Sequence, residues 1–176
     1  MKKLIPLLVL MTAATVAGAA TERVTLYMVS GQGIGKDIGY IDIQETDHGL
    51  LFTPALTGLP AGVHGFHVHE NASCDTAEKD GKPVAALAAG GHFDPGATKR
   101  HAGPYSDGHL GDLPGIYVDA EGKSVTPVLA PRIKKLTDIQ GRAVMVHAGG
   151  DNHADTPQPL GGGGARVACG IIRTAP

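Results

Sequence analysis

The sequence predicts an all-β protein, a sandwich or a barrel, and three observations lead to this fold class. Apolar and polar residues alternate with period two over several short segments, the pattern of a strand with one buried face. Turn residues separate these segments, as in DHG at 47–49 and AEG at 120–122. No long 3.6-residue apolar period occurs, and residues 134–139 form one helical turn at most. Many short strands joined by frequent turns are typical of sandwiches and barrels.

Seven segments carry the strand pattern. In residues 23–29, Val24, Leu26 and Met28 alternate with more polar neighbours. Because Trp is absent, Val, Ile, Leu and Ala must fill the core. The other six segments are residues 39–44, 49–56, 115–118, 124–129, 142–148 and 166–172.

Two long stretches, 70–114 and 149–165, interrupt the strand pattern. Both are rich in Gly, Pro, Asp and His and contain few apolar runs. Loops of this length are uncommon in compact domains unless they have a function or are tied down. We therefore expect functional residues, or ligands that tie the loops down, within them.

The first twenty residues have the pattern of a secretory signal peptide. Lys2 and Lys3 precede a short apolar run at 4–11, and AGAA at 17–20 offers small residues for cleavage after Ala19 or Ala20. The run is too short to span a bilayer, which disfavours a retained anchor. We expect cleavage of residues 1–20, leaving a single domain at 21–176 with no membrane association.

The charge of this predicted mature chain argues against a nucleic-acid partner. The whole sequence has 15 basic and 17 acidic residues, and Lys2 and Lys3 leave with the signal peptide, so the formal charge becomes −4. An anionic substrate would have to be attracted by local positive charge.

Cys74 and Cys169 are the two cysteines of a chain predicted to reach an oxidising compartment. Their distance in the sequence excludes a CxxC redox motif and favours a structural disulfide over a redox couple. Closing so long a loop could stabilise the fold by roughly 4–5 kcal/mol.

Three histidines are predicted to lie on strands. His67 and His69 project from the same face of a strand, with Phe66 and Val68 on the other face. His147 ends another predicted strand. Imidazoles placed in this way can converge on one metal ion.

A second group of ligand-type residues lies in the long loop at 70–114. Three imidazoles and one carboxylate suit a closed tetrahedral zinc site, which would keep the loop ordered; an unliganded cluster is the alternative. The other histidines have simpler interpretations: His64 is out of register and predicted to be a hydrogen-bonded structural residue, and His48 and His153 are predicted to be solvated. The second group consists of His92, His101, His109 and Asp112.

Several motifs together resemble the copper/zinc superoxide dismutases. They are GFHVHE at 65–70, GHFDP at 91–95, HLGDL at 109–113 and GARVACG at 164–170, while GGH at 90–92 and HAGGDN at 147–152 are similar to the exported bacterial branch. The resemblance covers essentially the whole mature chain. It implies a Greek-key β-sandwich or flattened barrel of immunoglobulin-like architecture, with two long metal-binding and active-site loops, located in the periplasm.

The resemblance also implies a ligand set for one copper and one zinc per chain. His92 would bridge the two ions, Asp151 would link His67 to His101, and Cys74 would pair with Cys169. The implied copper ligands are His67, His69, His92 and His147, and the implied zinc ligands are His92, His101, His109 and Asp112.

The implied reaction converts superoxide to dioxygen and hydrogen peroxide at a redox-cycling copper beside a structural zinc. His92 would be both ligand and proton carrier, and Arg166 would pair with the anion. Lys79 and Lys82 are similar to loop lysines that guide substrate, although Glu78 and Asp80 nearly cancel their charge.

Two other functions remain open from the residues alone. A periplasmic copper or zinc storage protein would use the same ligands without turnover, but it would need neither a shared His92 nor Arg166. A secreted adhesion sandwich would not need seven convergent ligands. A homodimer through Tyr27, Tyr40 or Tyr117 is also possible from the sequence.

Overall fold

The structure is a computed structural model that describes residues 20–173. Residues 1–19, most of the predicted signal peptide, lie outside the described residues. Within 20–173, no helix is long and apolar enough to cross a membrane. The strands are β1 Thr21–Ser30, β2 Gly33–Thr46, β3 Gly49–Thr57, β4 Gly62–His64, β5 Phe66–His69, β6 Ala77–Lys79, β7 Lys82–Val84, β8 Ile116–Val118, β9 Lys123–Ser124, β10 Val128–Ala130, β11 Arg142–His147 and β12 Arg166–Ile172.

The main sheet is antiparallel and has the strand order β10-β3-β2-β1-β12-β11-β5, with β9 also paired to β3. β1, β2 and β3 follow one another as hairpins, and β12 returns from the far end of the chain to lie beside β1, which is a Greek-key arrangement. β4 pairs with β8 and leads through Gly65 into β5, while β8 lies against β9, so the sheet curls on itself. The predicted all-β Greek-key fold is confirmed.

The strands form where alternation lets one face enter the core. On β1, Val24 and Leu26 are buried in the core. Arg23, which precedes Val24, faces outward, stacks over Tyr40 and pairs with Asp42 at 2.7 Å. The core side chains are mostly aliphatic and pack around one edge-to-face aromatic pair, which joins the sheet's two sides. That pair is Phe52 and Phe66, with ring centroids 5.6 Å apart.

Three details of the predicted secondary structure were wrong or incomplete. The predicted strand at 124–129 is two short strands, β9 and β10, because Pro127 cannot donate a ladder hydrogen bond. β2 begins at Gly33, well before residue 39, since its first half forms a hairpin arm with little apolar alternation. The loop at 70–114 contains the β6–β7 hairpin. By contrast, the single helical turn predicted at 134–139 is confirmed as a 3-10 helix at Leu136–Asp138.

A smaller apolar cluster surrounds the disulfide. Cys74 and Cys169 are bonded, with their Cα atoms 5.8 Å apart, which confirms the predicted pairing. They pack with Ala86, Ala89 and Met145 against the side of β11 and β12 that faces away from the main core. The bond therefore fastens the first part of the long loop to β12.

Candidate metal centre

Two adjacent strands bring three histidines together. β5 pairs with β11 so that His67 faces Met145 and His69 faces Ala143. His147 ends β11, and its backbone N–H donates to Gly65 O at 2.8 Å, which brings it back beside β5. All three histidines are buried, with 0–6 % of their surface exposed.

Backbone and carboxylate acceptors hold one nitrogen of each ring and leave the other facing inward. His69 donates from Nδ1 to Gly90 O at 3.0 Å, and His147 donates from Nδ1 to Gly164 O at 3.2 Å. Their Nε2 atoms lie 3.4 Å apart. His67 donates from Nε2 to Asp151, and its buried Nδ1 has no hydrogen-bond partner among the described residues.

His92 completes this group from the long loop. It forms an isolated antiparallel bridge with His69, and its ring stacks on His67 with centroids 3.9 Å apart. The ligand atoms of His67, His69, His92 and His147 all lie within 4.8 Å of one another. We call these four residues the strand group, because β5 and β11 carry three of them.

A second convergence surrounds the Asp112 carboxylate. Its Oδ1 lies 2.9 Å from His92 Nδ1, 3.1 Å from His101 Nδ1 and 3.3 Å from His109 Nδ1. Tetrahedral zinc with bonds of about 2.0 Å would hold its ligand atoms about 3.3 Å apart, close to these separations. His101 Nδ1 is buried and has no hydrogen-bond partner among the described residues. We call His92, His101, His109 and Asp112 the loop group.

The position of His109 is less central than the motif indicates. The compact set in this region, with ligand atoms within 4.8 Å of each other, contains His67, His92, His101 and Asp112. His109 lies at its edge, with its ring centroid 5.4 Å from that of His92. However, His67 has only Nδ1 free, and that atom also belongs to the strand group, so it cannot serve two ions.

One carboxylate connects the two groups. Asp151 accepts from His67 Nε2 at 2.8 Å and from His101 Nε2 at 2.7 Å, and it is itself buried between the two rings. Gly161 makes room for it, because a Cβ at Gly161 would collide with Asp151 Oδ1 and lie 2.7 Å from His101 Nε2. Holding the outer nitrogen of a ligand histidine fixes both its tautomer and its ring orientation.

Sequence reasoning missed the residues that hold the loop group through its backbone. Asp155 accepts from His101 N–H at 3.0 Å. Arg132 donates from its guanidinium to the carbonyls of Gly108 and His109. Neither contact leaves a sequence signal, since any residue supplies the backbone partner. For Gly161, the GGGG run at 161–164 is a sequence signal of close backbone approach.

Burial and nearby carboxylates prepare the two groups differently. Burial lowers the pKa of His67 to about 3 and that of His147 to about 4, so both rings are neutral and able to bind metal. Burial also acts on His101, but the carboxylates of Asp112 and Asp151 outweigh it and raise its pKa to about 9. In turn, His101 lowers the pKa of the Asp112 and Asp151 carboxyl groups, against the effect of their burial.

Arg166 lies beside the strand group, opposite His147 in the β11–β12 register. Its Nη1 donates to Ala86 O and its Nη2 donates to Gly90 O at 2.6 Å. The carbonyl of Gly90 also accepts from His69, so one peptide orients both the arginine and a histidine of the strand group. The positive charge of Arg166 contributes to the lowered pKa of His69 and His147.

The remaining predicted residues lie farther out. Lys79 and Lys82 are exposed and face each other across the β6–β7 hairpin, which leads into Ala86. His64 is buried between the carbonyls of Pro60 and His147, which agrees with a structural role.

The two histidines predicted to be solvated differ. His48 is exposed. His153 is half-buried against Gly103, so that prediction was wrong. The two long loops pack on each other there, a tertiary contact that local composition does not reveal.

Comparison with known proteins decides between the functions that share this geometry. The family described as copper/zinc superoxide dismutase (SODC) matches residues 38–172. This chain belongs to the copper/zinc superoxide dismutases. Membership makes it an oxidoreductase that dismutes superoxide, with copper and zinc as its cofactors, and leaves the storage function without support.

Individual relatives agree along nearly the full length. "Superoxide dismutase [Cu-Zn] 2" of Salmonella typhimurium is 53% identical over 173 residues, covering 98% of this chain and 100% of the relative. Among solved structures, the copper/zinc enzyme of Brucella abortus has 53% identity and a TM-score of 0.86, covering 88% of this chain and 100% of that one. The Salmonella enterica enzyme, described as monomeric, has 54% identity and a TM-score of 0.80, with the same coverage.

Proposed function

We propose that the strand group holds copper and the loop group holds zinc, with His92 shared between them. The observation that carries this proposal is a pair of buried nitrogens, one facing each group: His67 Nδ1 has no hydrogen-bond partner among the described residues, and His101 Nδ1 lies 3.1 Å from Asp112 Oδ1 but outside hydrogen-bond geometry. Buried polar atoms normally have partners, and a metal ion in each group would bind the nitrogen that faces it. His92 Nδ1 lies against Asp112, so its Nε2 is the atom left for the strand group.

Each ligand set suits its metal. Copper, when bound, supplies one-electron redox chemistry, which zinc lacks. The strand group offers four imidazoles to copper, and Arg166 beside it offers positive charge to an anion. Three imidazoles and a carboxylate make the loop group a closed structural site.

The chain's own residues bind the substrate and supply a proton. Arg166 would pair with superoxide, because its guanidinium keeps its charge and the carbonyls of Ala86 and Gly90 hold it in one orientation. His92 would hold a proton at Nε2 only while that atom is not bound to copper, and would donate it to the reduced product. Water would supply the second proton that hydrogen peroxide requires.

Measurements of metal content and of superoxide decay test this function together. We expect two metals per chain and fast decay that slows as ionic strength rises, since a negatively charged chain attracts an anion only through local charge. Two metals with slow decay would instead indicate storage.

A matched pair of variants tests the ligand assignment. His147→Gln should lose copper and keep zinc, whereas His109→Gln should lose zinc first. Loss of the same metal from both variants would contradict the assignment.

We also propose that the chain is exported to the periplasm after cleavage of residues 1–20. The support is the basic start, the short apolar run and the small residues at 17–20, together with relatives of matching length in Escherichia coli and Salmonella. Cell fractionation with N-terminal sequencing would test it; a cytoplasmic protein that retains Met1 would refute it.

Self-association stays a prediction. Tyr117 faces Val63 across the β4–β8 pair, and both are more than half exposed, whereas Tyr27 and Tyr40 lie on the paired strands β1 and β2 of the main sheet, and Arg23 covers Tyr40. The three tyrosines therefore do not form one surface. Sedimentation of the wild type and of Tyr117→Ser at several concentrations would show whether a dimer forms through β8.

A further inference from the structure

We propose that Arg132 is a positioning residue for zinc, which clamps the backbone at Gly108 and His109 to the body of the barrel. The inference rests on the proposed zinc site and adds a residue that lies outside the ligand set. It concerns how tightly zinc is held, and not the chemistry of superoxide.

The contact has the geometry of a fork across two successive carbonyls. Arg132 Nη2 donates to Gly108 O at 2.9 Å, and Nη1 donates to His109 O at 3.0 Å. The side chain is half-buried, and within residues 20–173 no carboxylate lies within ion-pair distance of it. A charged guanidinium that spends two donors on carbonyls orients that peptide more strongly than a neutral donor would.

The base of the clamp is fixed to the barrel. Arg132 follows β10, which pairs with β3 at one end of the main sheet. Its neighbour Ile133 is buried in the core, and Ile133 O accepts from Leu50 N–H at 2.9 Å. The arginine therefore reaches from the β10 end of the sheet to a loop whose backbone bonds at residues 91–93 and 111–113 are to β5 and its flanking residue Glu70, at the opposite end.

The end of the loop that Arg132 holds carries a zinc ligand. His109 N–H donates to Arg100 O, a bond within the same loop, and His109 O also accepts from Asp112 N–H at 3.4 Å. Gly108 lies so close to the neighbouring backbone that a Cβ there would be 2.6 Å from Arg100 O. Arg132 thus fixes the packed turn that brings the side chain of His109 to that of Asp112, three residues later.

The two other ligand arms are held from elsewhere. Asp151 and Asp155 hold His101, and Asp112 Oδ2 accepts from Ala102 N–H at 3.2 Å. Without Arg132, His109 would keep only bonds within its own loop among those described above. Because a cation near zinc is electrostatically unfavourable, Arg132 must act through its hydrogen bonds to the two carbonyls, which its charge strengthens, and not by attraction to the metal site.

The test measures zinc release from the copper- and zinc-loaded enzyme into a chromogenic chelator. We expect Arg132→Gln to release zinc about 10-fold faster or more, as is typical when a partner outside the ligand shell is lost. Arg132→Lys should fall between Gln and the wild type, because lysine keeps the charge but cannot span two carbonyls. Equal release by Arg132→Gln and the wild type would overturn the proposal.

Arg100→Gln is the matched control. Arg100 also donates to a loop carbonyl, that of Asp107 at 2.7 Å, but this bond closes within the loop and has no anchor on the barrel. We expect wild-type zinc release from it. Equal acceleration in Arg100→Gln and Arg132→Gln would show that any lost arginine loosens the loop, and would refute a specific clamp.

Two further readouts separate the clamp from the zinc assignment and from misfolding. The visible spectrum of cobalt placed in the zinc site should change in Arg132→Gln, while copper content stays at the wild-type level. Fast zinc release from His109→Gln with normal release from Arg132→Gln would refute the clamp alone. Normal release from both would refute the zinc assignment as well. Should Arg132→Gln fail to fold, Arg132→Lys decides by the same criterion.

Discussion

The two ligand groups differ in what holds them. In the strand group, three of four histidines lie on β5 and β11, where ladder hydrogen bonds fix the backbone. In the loop group, His92 and Asp112 form only isolated backbone bridges with β5, whereas side chains from distant segments hold His101 and His109. One site is therefore built by the barrel itself, whereas the other is assembled by contacts between distant segments.

This difference extends to protonation. Burial keeps the strand histidines neutral, since their outer nitrogens face mainly carbonyls. His101 sits between two carboxylates that favour its charged form. We infer that the strand group is ready for metal without rearrangement, whereas zinc must displace a proton from His101.

The largest expected effect comes from the disulfide, which fastens the long loop at 70–114 to β12. Replacing Cys74 and Cys169 with Ser should lower the free energy of unfolding by about 4–5 kcal/mol, because a 95-residue loop is no longer closed in the unfolded state. Denaturant unfolding of the metal-free variant measures it. Unchanged stability would show that the loops are held by their hydrogen bonds alone.

Asp151→Ala should weaken zinc binding by about 10- to 100-fold. Copper should be affected less. Both His67 and His101 lose their bond to Asp151, but His67 is still held by the β5 ladder, whereas His101 lies on irregular chain. Competition with chelators gives both affinities, and Asp155→Asn, which touches His101 only through its backbone, is the milder control. Equal loss of both metals would break the distinction between the groups.

Arg166→Ala should lower the rate of superoxide decay about tenfold and weaken its salt dependence, with metal content unchanged. Arg166→Lys should recover part of the rate, since it restores the charge but not the two fixed donors. Stopped-flow decay at two ionic strengths measures both properties. A wild-type rate in the alanine variant would remove Arg166 from substrate binding.

The pH dependence of the metal-free chain should separate the groups by sign. The raised pKa of His101 gives stability that is complete below about pH 6.5 and is lost as the pH rises through about 9. The lowered pKa of His147 gives stability that is present above about pH 6.5 and is lost as the pH falls through about 4. Each effect should be at most about 3 kcal/mol, and smaller where solvent screens the group.

Denaturant unfolding across pH 4–9 would show both slopes. His101→Gln should flatten the alkaline slope and His147→Gln the acidic one. The same change in both variants would contradict the different environments of the two groups.

The smallest effect concerns Lys79 and Lys82, whose role in guiding superoxide stays a prediction. Replacing both with Gln should slow decay about twofold at low salt and have no effect at high salt, since they are exposed. An unchanged rate at low salt would indicate that Glu78 and Asp80 cancel their charge.

The sequence alone predicted the features that depend on the local pattern of apolar and polar residues. Period-two alternation placed most strands of the main sheet, and the HVH at 67–69 put two histidines on one strand face. The family resemblance added the assignment of copper and zinc, which spacing could not decide. What local pattern missed were interrupted strands and the β6–β7 hairpin, where apolar alternation is weak.

Only the tertiary structure decided how the loop group is held. Arg132 lies 24 residues from Gly108 and Asp155 lies 54 residues from His101, and each binds a backbone group that every residue possesses. Side-chain chemistry therefore leaves no mark of these contacts in the sequence. The ligands can be identified in the sequence because metals bind particular side chains. The contacts that position those ligands depend on which distant segments pack together, and only the tertiary structure shows this.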